Sequence, residues 1–404
     1  MLFAHLADVH IGAWRDPRMK ELPIQAFERA VDLITERKAD FTIIAGDFFN
    51  TSVPPLDQVK RAVTQLQRLK AAGIPVYAIA GSHDYSPSGK TMLDVLEEAG
   101  LLVNVMKGEV VDGKITLRWT TDERTGVKLT GIIGRAGSLD RTYYEDLNRD
   151  ALEQEPGEKI FLFHTSLTEL KPKALEKIES APASMMPKGC RYYAGGHVHI
   201  VNATRLPGYE AIVYPGPLFP ANFSELEELG RGSFCFVKDW EVERVPVELK
   251  TCASFHVDAD KKTPEMVNAL LGELREEDVA GKIVLLRITG ELCEGRIADV
   301  QTKTLVQQWY ERGAYFVMRN TAQLSSKELA EVQVRGATTE EVELKVIREH
   351  AGQTPLGLNT EEEVALTKEL LNTLGEEKPE GEKQYEYEER VQREARTLLE
   401  RRAQ

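Results

Sequence analysis

The chain has 404 residues, 42% hydrophobic and 29% charged, with 51 basic side chains against 65 acidic ones and a formal net charge of -14. That length exceeds what one hydrophobic core organises and predicts two or three domains of an ordinary globular protein. No apolar run approaches the roughly 20 residues that cross a bilayer, and MLFAHLADVH lacks the basic start and long apolar stretch of a secretion signal, so a cytoplasmic protein without a membrane is expected.

In chain order, LFAHLAD is a short apolar run that ends on Asp8, with His10 just beyond it. A helical pattern follows, with Ile24, Phe27, Val31 and Ile34 at spacings of three and four. FTIIAGD (41–47) is a second apolar run ending on Asp47, and after the turn signal VPP a helix over 56–71 carries Val59, Val63, Leu66 and Leu69 on one stripe. IPVYAIAGSHD ends on His83 and Asp84; the helix predicted at 89–99 carries Met92, Leu93 and Leu96. IFLFHTS (160–166) delivers His164, and CRYYAGGHVH (190–199) delivers His197 and His199. Short β-rich runs alternating with amphipathic helices predict a parallel α/β sheet covered on both faces, with ligands gathered beyond the carboxyl ends of the strands.

From about residue 250 the composition changes. A helix at 264–275, the strand KIVLLRI (282–288), a helical stretch at 298–311 and the strand AYFVMR (314–319) make a small β-α-β-α-β module. Its Lys261, Lys262, Arg287 and Arg319 are scattered and read equally well as solvated surface. In the last 65 residues, QTPLGLN (353–359) and EEKPEGEK (376–383) break highly charged helical patterns. Val364, Leu366, Leu370, Leu371 and Leu374 group on one side and call for a partner surface; a fraying acidic tail is the alternative.

The chain has eight histidines, and five of them directly follow an apolar run. Imidazole and carboxylate together suit divalent Mn, Fe or Zn. Cys190, Cys235, Cys252 and Cys293 form no CxxC pair, which argues against a zinc cage or a disulfide framework and makes them small core residues. An aspartate such as Asp47 can bridge two ions, one oxygen to each. Two ions about 3.5 to 4 Å apart clamp the oxygens of a phosphoryl group, so phosphate-ester hydrolysis is the natural reaction. Taken singly, each motif also reads as a helix cap or a turn; the five ordered clusters together are what packing does not explain. His5, His256 and His350 read as structural or surface residues.

DVH at 8–10, GDFF at 46–49, GSHD at 81–84, the lone His164 and GHVH at 196–199 match, in order, the five motifs of the calcineurin-like metallophosphoesterases. Within that superfamily the chain resembles the SbcD-type nuclease subunit of the DNA double-strand-break repair complex, through its DVHIG start, the helices after the second and third motifs, AIVYPGPLFPANFSE (211–225) and the C-terminal regions. The resemblance implies a two-layered β-sandwich of mixed sheets flanked by helices over 1–250, a small α+β DNA-capping domain over 251–335, and C-terminal helices over 336–404 that dock on an SMC-like ATPase of the SbcC type. It also implies a homodimer formed through the helices at 56–71 and 89–99.

The same resemblance implies that Asp8, His10 and His199 hold one metal, that Asp47 bridges, and that His164 and His197 hold the second, with manganese as the usual ion. His83 would be the catalytic histidine that holds no metal, with Asp84 fixing its tautomer. Two positions depart from the family pattern. Ser82 stands where an asparagine usually ligates the second metal, and Asn50 stands where a histidine usually helps to seat the scissile phosphate. The implied activity is manganese-dependent DNA cleavage, as a 3'-to-5' exonuclease on duplex ends and an endonuclease on single strands. The same metal cluster would serve a phosphatase or a cyclic-nucleotide phosphodiesterase, and the two departures leave room for a scaffold that bridges DNA and ATPase without cutting.

Overall fold

The computed structural model describes residues 1–86, 90–134, 140–171, 180–326, 339–351, 358–376 and 384–401. They divide into two compact units, Met1–Cys252 and Ala253–Gln404. Apart from Thr251 and Cys252, the expected segments 251–335 and 336–404 fall in a single unit.

The first unit is built on two six-stranded sheets. The first contains β1 (Leu2–Leu6), β2 (Phe41–Ala45), β3 (Val76–Ile79) and β4 (Val103–Asn104) in parallel, closed on the β1 side by antiparallel β13 (Gly232–Lys238) and β14 (Glu241–Val247). The second has β8 (Lys128–Ile132), β9 (Lys159–His164), β10 (Tyr192–Gly196) and β12 (Tyr209–Pro215) in parallel, with β7 (Thr120–Thr121) and β11 (Val201–Leu206) antiparallel at its edges. A hairpin, β5 (Lys107–Val111) and β6 (Lys114–Arg118), stands beside them.

One core joins Phe3, Phe41, Ile43 and Ile79 of the first sheet to Leu129, Ile160, Leu162 and Tyr192 of the second. The two sheets therefore face each other, as in the mixed two-layered sandwich, and this corrects the expectation of one parallel sheet with helices on both faces. The reason is physical: FTIIA is buried at every position, and a strand covered on both faces shows no alternation that would tell a helix from a second sheet.

Helices cover the outside of the first sheet. α1 (Pro17–Glu36) starts on Asp16, whose side chain accepts from the Arg18 amide, with Pro17 at the position where a missing N–H costs nothing. α2 (Leu56–Ala71) lies along α1, joined by Arg61 to Glu21 and Glu28 and by Arg68 to Asp32. Leu66 and Leu69 are buried, whereas Val59 and Val63 are only half-buried. α3 (Met92–Glu98) opens on a capping box between Thr91 and Asp94 and buries Leu93 and Leu96. Three short helices, α4 (Asp140–Glu145), α5 (Arg149–Gln154) and α6 (Phe223–Leu229), complete the unit.

The second unit carries a three-stranded sheet in the order β15 (Cys252–Asp258), β16 (Ile283–Leu292) and β17 (Phe316–Ser326), with β16 and β17 parallel. α7 (Pro264–Glu273) and α8 (Thr302–Glu311) pack on it around fully buried Trp309, whose ring stacks on Phe255 and whose indole N–H donates to the Leu274 carbonyl. α9 (Thr339–His350) is bonded to the edge of this core, since buried Glu349 accepts from the Ile297 amide at 3.0 Å, while its Ile347 forms a separate small cluster with Ala351 and Val364. In α10 (Thr360–Leu374), Val364 and Leu366 are buried while Leu371 and Leu374 are exposed; α11 (Gln384–Arg401) ends the described chain. Most of the two expected breaks, residues 353–357 and 377–383, lies outside the described residues.

Candidate metal centre

Each candidate ligand leaves its strand at the same kind of place. Asp8 and His10 follow β1, Asp47 follows β2, His83 follows β3, His164 is the last residue of β9, and His197 and His199 follow β10. Five of these residues sit in the left-handed region: Asp8 (φ 50°), His10 (47°), Asp47 (50°), His197 (97°) and His199 (51°). Such backbone costs free energy and concentrates at functional sites. Here it turns the side chains sharply out of line with their strands, so that one ligand atom from each of Asp8, His10, Asp47 and His199 lies within 4.8 Å of the others, and likewise for Asp47, His164 and His197. Asp47 belongs to both groups.

Glycines make the room. A Cβ on Gly81 would lie 2.1 Å from Asp47 Oδ1, and one on Gly46 would lie 2.2 Å from His164 Nδ1.

The hydrogen bonds decide which atoms remain for an ion. Asp47 Oδ1 accepts from the His83 amide at 2.8 Å, while Oδ2 lies 3.1 Å from His164 Nε2 and 3.6 Å from His10 Nε2. One Asp47 oxygen thus faces both groups, while the other also accepts an amide. Asp8 accepts from the His197 amide through both oxygens, and its Oδ1 lies 3.7 Å from His199 Nε2. His164 Nδ1 donates to the Ala45 carbonyl at 2.8 Å, which puts the lone pair of the neutral ring on Nε2. That Nε2 is fully buried, makes no hydrogen bond among the described residues and points at the Asp47 carboxylate. His10 Nε2 faces His199 Nε2 at 3.0 Å. Lone pairs converging on one another and on carboxylates are repulsive unless a cation or a proton lies among them, and imidazole with carboxylate is a donor set for divalent transition ions.

The electrostatics agree. Burial pushes Asp8 up, against the pull of His199 and His164. Burial also works to raise Asp47, but the charges of His164, His10 and His83 hold it well below the ordinary range. Burial drives His10 down to about 3 and His197 to about 4. Against the same burial, Asp47 lifts His164 to about 10 and Asp8 lifts His199 to about 9. The two carboxylates thus demand positive charge at the two Nε2 atoms, and a bound divalent ion supplies it as a proton would.

Residues 1–201 match the family model of the calcineurin-like phosphoesterases. The chain belongs to that family. Among the relatives of this phosphoesterase are three proteins named DNA double-strand break repair protein Mre11, from Archaeoglobus fulgidus, Methanopyrus kandleri and Methanococcus maripaludis. They are 25%, 29% and 27% identical to it, over 86%, 56% and 68% of this chain and 80%, 51% and 76% of their own. Family and donor set together make the phosphoesterase a metal-dependent enzyme.

Other residues are placed differently from expectation. Asp84 does not orient His83. Its buried carboxylate accepts from the amides of Phe48, Phe49 and Gly81 at 2.8 to 3.0 Å and so ties the loop after β2 to the loop after β3. Burial and the Asp47 charge push Asp84 up to about 7, opposed by those amides. His83 Nδ1 instead bonds the Asn50 carbonyl at 2.9 Å, and its exposed ring stands edge-on to His10 with centroids 4.8 Å apart. Asn50 and Ser82 flank the site half-buried. Outside it, His5 is fully buried and bonds Tyr192, while His256 bonds Thr289. Cys190 and Cys235 are core residues as expected, but Cys293 is exposed and Cys252 half-buried.

Glu225 was not among the expected residues, yet its Oε1 lies 2.8 Å from His199 Nδ1. In the sequence, Asn222 with Glu225 three residues on reads as a helix cap, which it is: Asn222 accepts from the Glu225 amide. Nothing local announces the second partner.

Proposed function

We propose that the phosphoesterase is a DNA nuclease of double-strand-break repair that holds two divalent ions, manganese foremost, with Asp8, His10, Asp47 and His199 around one and Asp47, His164 and His197 around the other. The observation that carries this reading is the single Asp47 oxygen facing both ligand groups. DNA as the substrate is supported by the names of the relatives. When bound, such a pair of ions supplies a hydroxide near neutral pH and clamps the attacking and leaving oxygens of the phosphodiester.

The chain's own residues do the rest. The Asn50 carbonyl holds the proton on His83 Nδ1, so the exposed imidazole exchanges its second proton at Nε2. Protonated there, it stabilises charge on the phosphate and gives a proton to the departing oxygen. Ser82 would add a hydroxyl to the second, three-residue group, a poorer donor than an amide carbonyl, and the Asn50 side chain would help to seat the phosphate. Specific activities, as a 3'-to-5' exonuclease on duplexes and an endonuclease on single strands, belong to the same proposal. So do an SMC-like ATPase partner and a homodimer; exposed Val53, Leu56 and Val95 in the first unit, and Leu371, Leu374 and Leu399 in the second, are apolar surface consistent with partners.

The test is one set of incubations: labelled duplex, single-stranded DNA and a bis-phenyl phosphate ester, each with manganese or with chelator. Manganese-dependent cleavage of both DNAs is expected. Cleavage of the ester alone would replace the nuclease with another phosphoesterase, and inertness toward all three would leave a scaffold.

A further inference from the structure

Among the site histidines whose Nδ1 partner is seen, His164 and His83 use main-chain carbonyls, of Ala45 and Asn50. His199 uses a carboxylate. Glu225 Oε1 stands 2.8 Å from its Nδ1, and both groups are largely buried, each side chain 18% exposed. The carboxylate is itself held from the other side. Oε2 accepts from the Ala221 amide at 2.8 Å, the Asn222 side-chain amide donates to Oε1, and the Glu225 main chain is anchored in the first turn of α6 by Asn222. These bonds leave the carboxylate no freedom to swing away from the imidazole.

We propose that Glu225 is the positioning residue of the first ligand group. It keeps the proton of His199 on Nδ1, aims the Nε2 lone pair at the space shared with Asp8 and His10, and strengthens that nitrogen as a donor. The inference rests on the metal reading of the site and adds to it an asymmetry: the first group is tuned by an anionic partner, whereas His164 of the second group is oriented by a neutral carbonyl. Glu225 belongs to neither ligand group.

The experiment compares the full-length chain with Glu225→Ala and Glu225→Gln. Manganese binding is measured by calorimetry, and the tautomer of His199 by nitrogen-15 correlation spectra of metal-free protein at a pH well above about 9, where the ring is neutral. The alanine variant is expected to weaken one of two manganese sites by about 10- to 100-fold, to leave the other unchanged, and to shift His199 toward the Nε2-protonated form. The side-chain carbonyl oxygen that Glu225→Gln retains keeps the tautomer but not the charge, so this variant should lose less; it carries the test if the alanine variant does not fold. Unchanged affinity at both sites, or an unchanged tautomer in the alanine variant, overturns the proposal. If the unaltered chain binds no manganese, the metal reading fails instead, and the spectra still decide whether Glu225 sets the tautomer.

Discussion

His83 and Gly81 lie two residues apart on one loop, and their surroundings predict opposite behaviour. His83 is exposed and belongs to neither ligand group, so His83→Ala should abolish turnover while calorimetry still counts two bound ions; loss of an ion from that variant would make His83 a ligand. Gly81→Ala puts a methyl group 2.1 Å from Asp47 Oδ1 and 2.2 Å from the Asp47 amide nitrogen. Overpacking of this kind costs about 1–3 kcal/mol, and Asp47 is the residue both groups share. That variant should melt earlier in urea and bind manganese at neither site with full affinity; an unaltered calorimetric trace would show that the loop yields without moving Asp47. The clustering of these candidate ligands was legible in the sequence because acids and imidazoles closed run after run of apolar residues. Asp84 was misread because its partners are amides 35 and 36 residues back in the chain, and main-chain donors leave no mark in a sequence. Glu225 was missed because it already had a local role as part of a helix cap.

At the level of elements, parallel strands and amphipathic helices were readable from periodicity, and the facing of two sheets was not, since strands such as KIFLFH are buried throughout whichever element covers them. α9 is the clearer lesson. Glu349 lies in a charged helix and reads as solvated, yet it is 6% exposed and accepts the Ile297 amide. Removing it orphans a buried donor, which costs about 1–3 kcal/mol. Glu349→Ala should therefore speed exchange of the Ile297 amide and lower the stability of the second unit, with Glu349→Gln retaining most of the protection because an acceptor oxygen remains. If both variants exchange like the parent, the Glu349 bond does not hold α9, and the cluster of Ile347, Ala351 and Val364 is the stronger tie. By contrast, Arg61→Ala should cost under about 1 kcal/mol, because its pairs with Glu21 and Glu28 are partly solvated.

For the whole molecule, two compact units with the candidate ion centre in one of them predict heat unfolding in two steps. A ligand bound only by folded protein adds about 2.7 kcal/mol at a hundredfold excess over its dissociation constant. Manganese should then raise the calorimetric transition of the first unit by several degrees and chelator should reverse it, the second transition staying put; indifference of both transitions would count against the ion centre. The net charge of -14 did not foretell any of this, since the acids that matter are two buried carboxylates among many exposed ones. The left-handed backbone at five site positions also bears on descent. Asp, Asn and His tolerate that conformation better than other residues with side chains, so mutation at Asp8, Asp47 or His199 has few viable exits. Glutamate or cysteine could grip an ion yet fit the backbone worse, and drift in related lineages should reach asparagine or glycine first, silencing the centre in a single step while the fold survives.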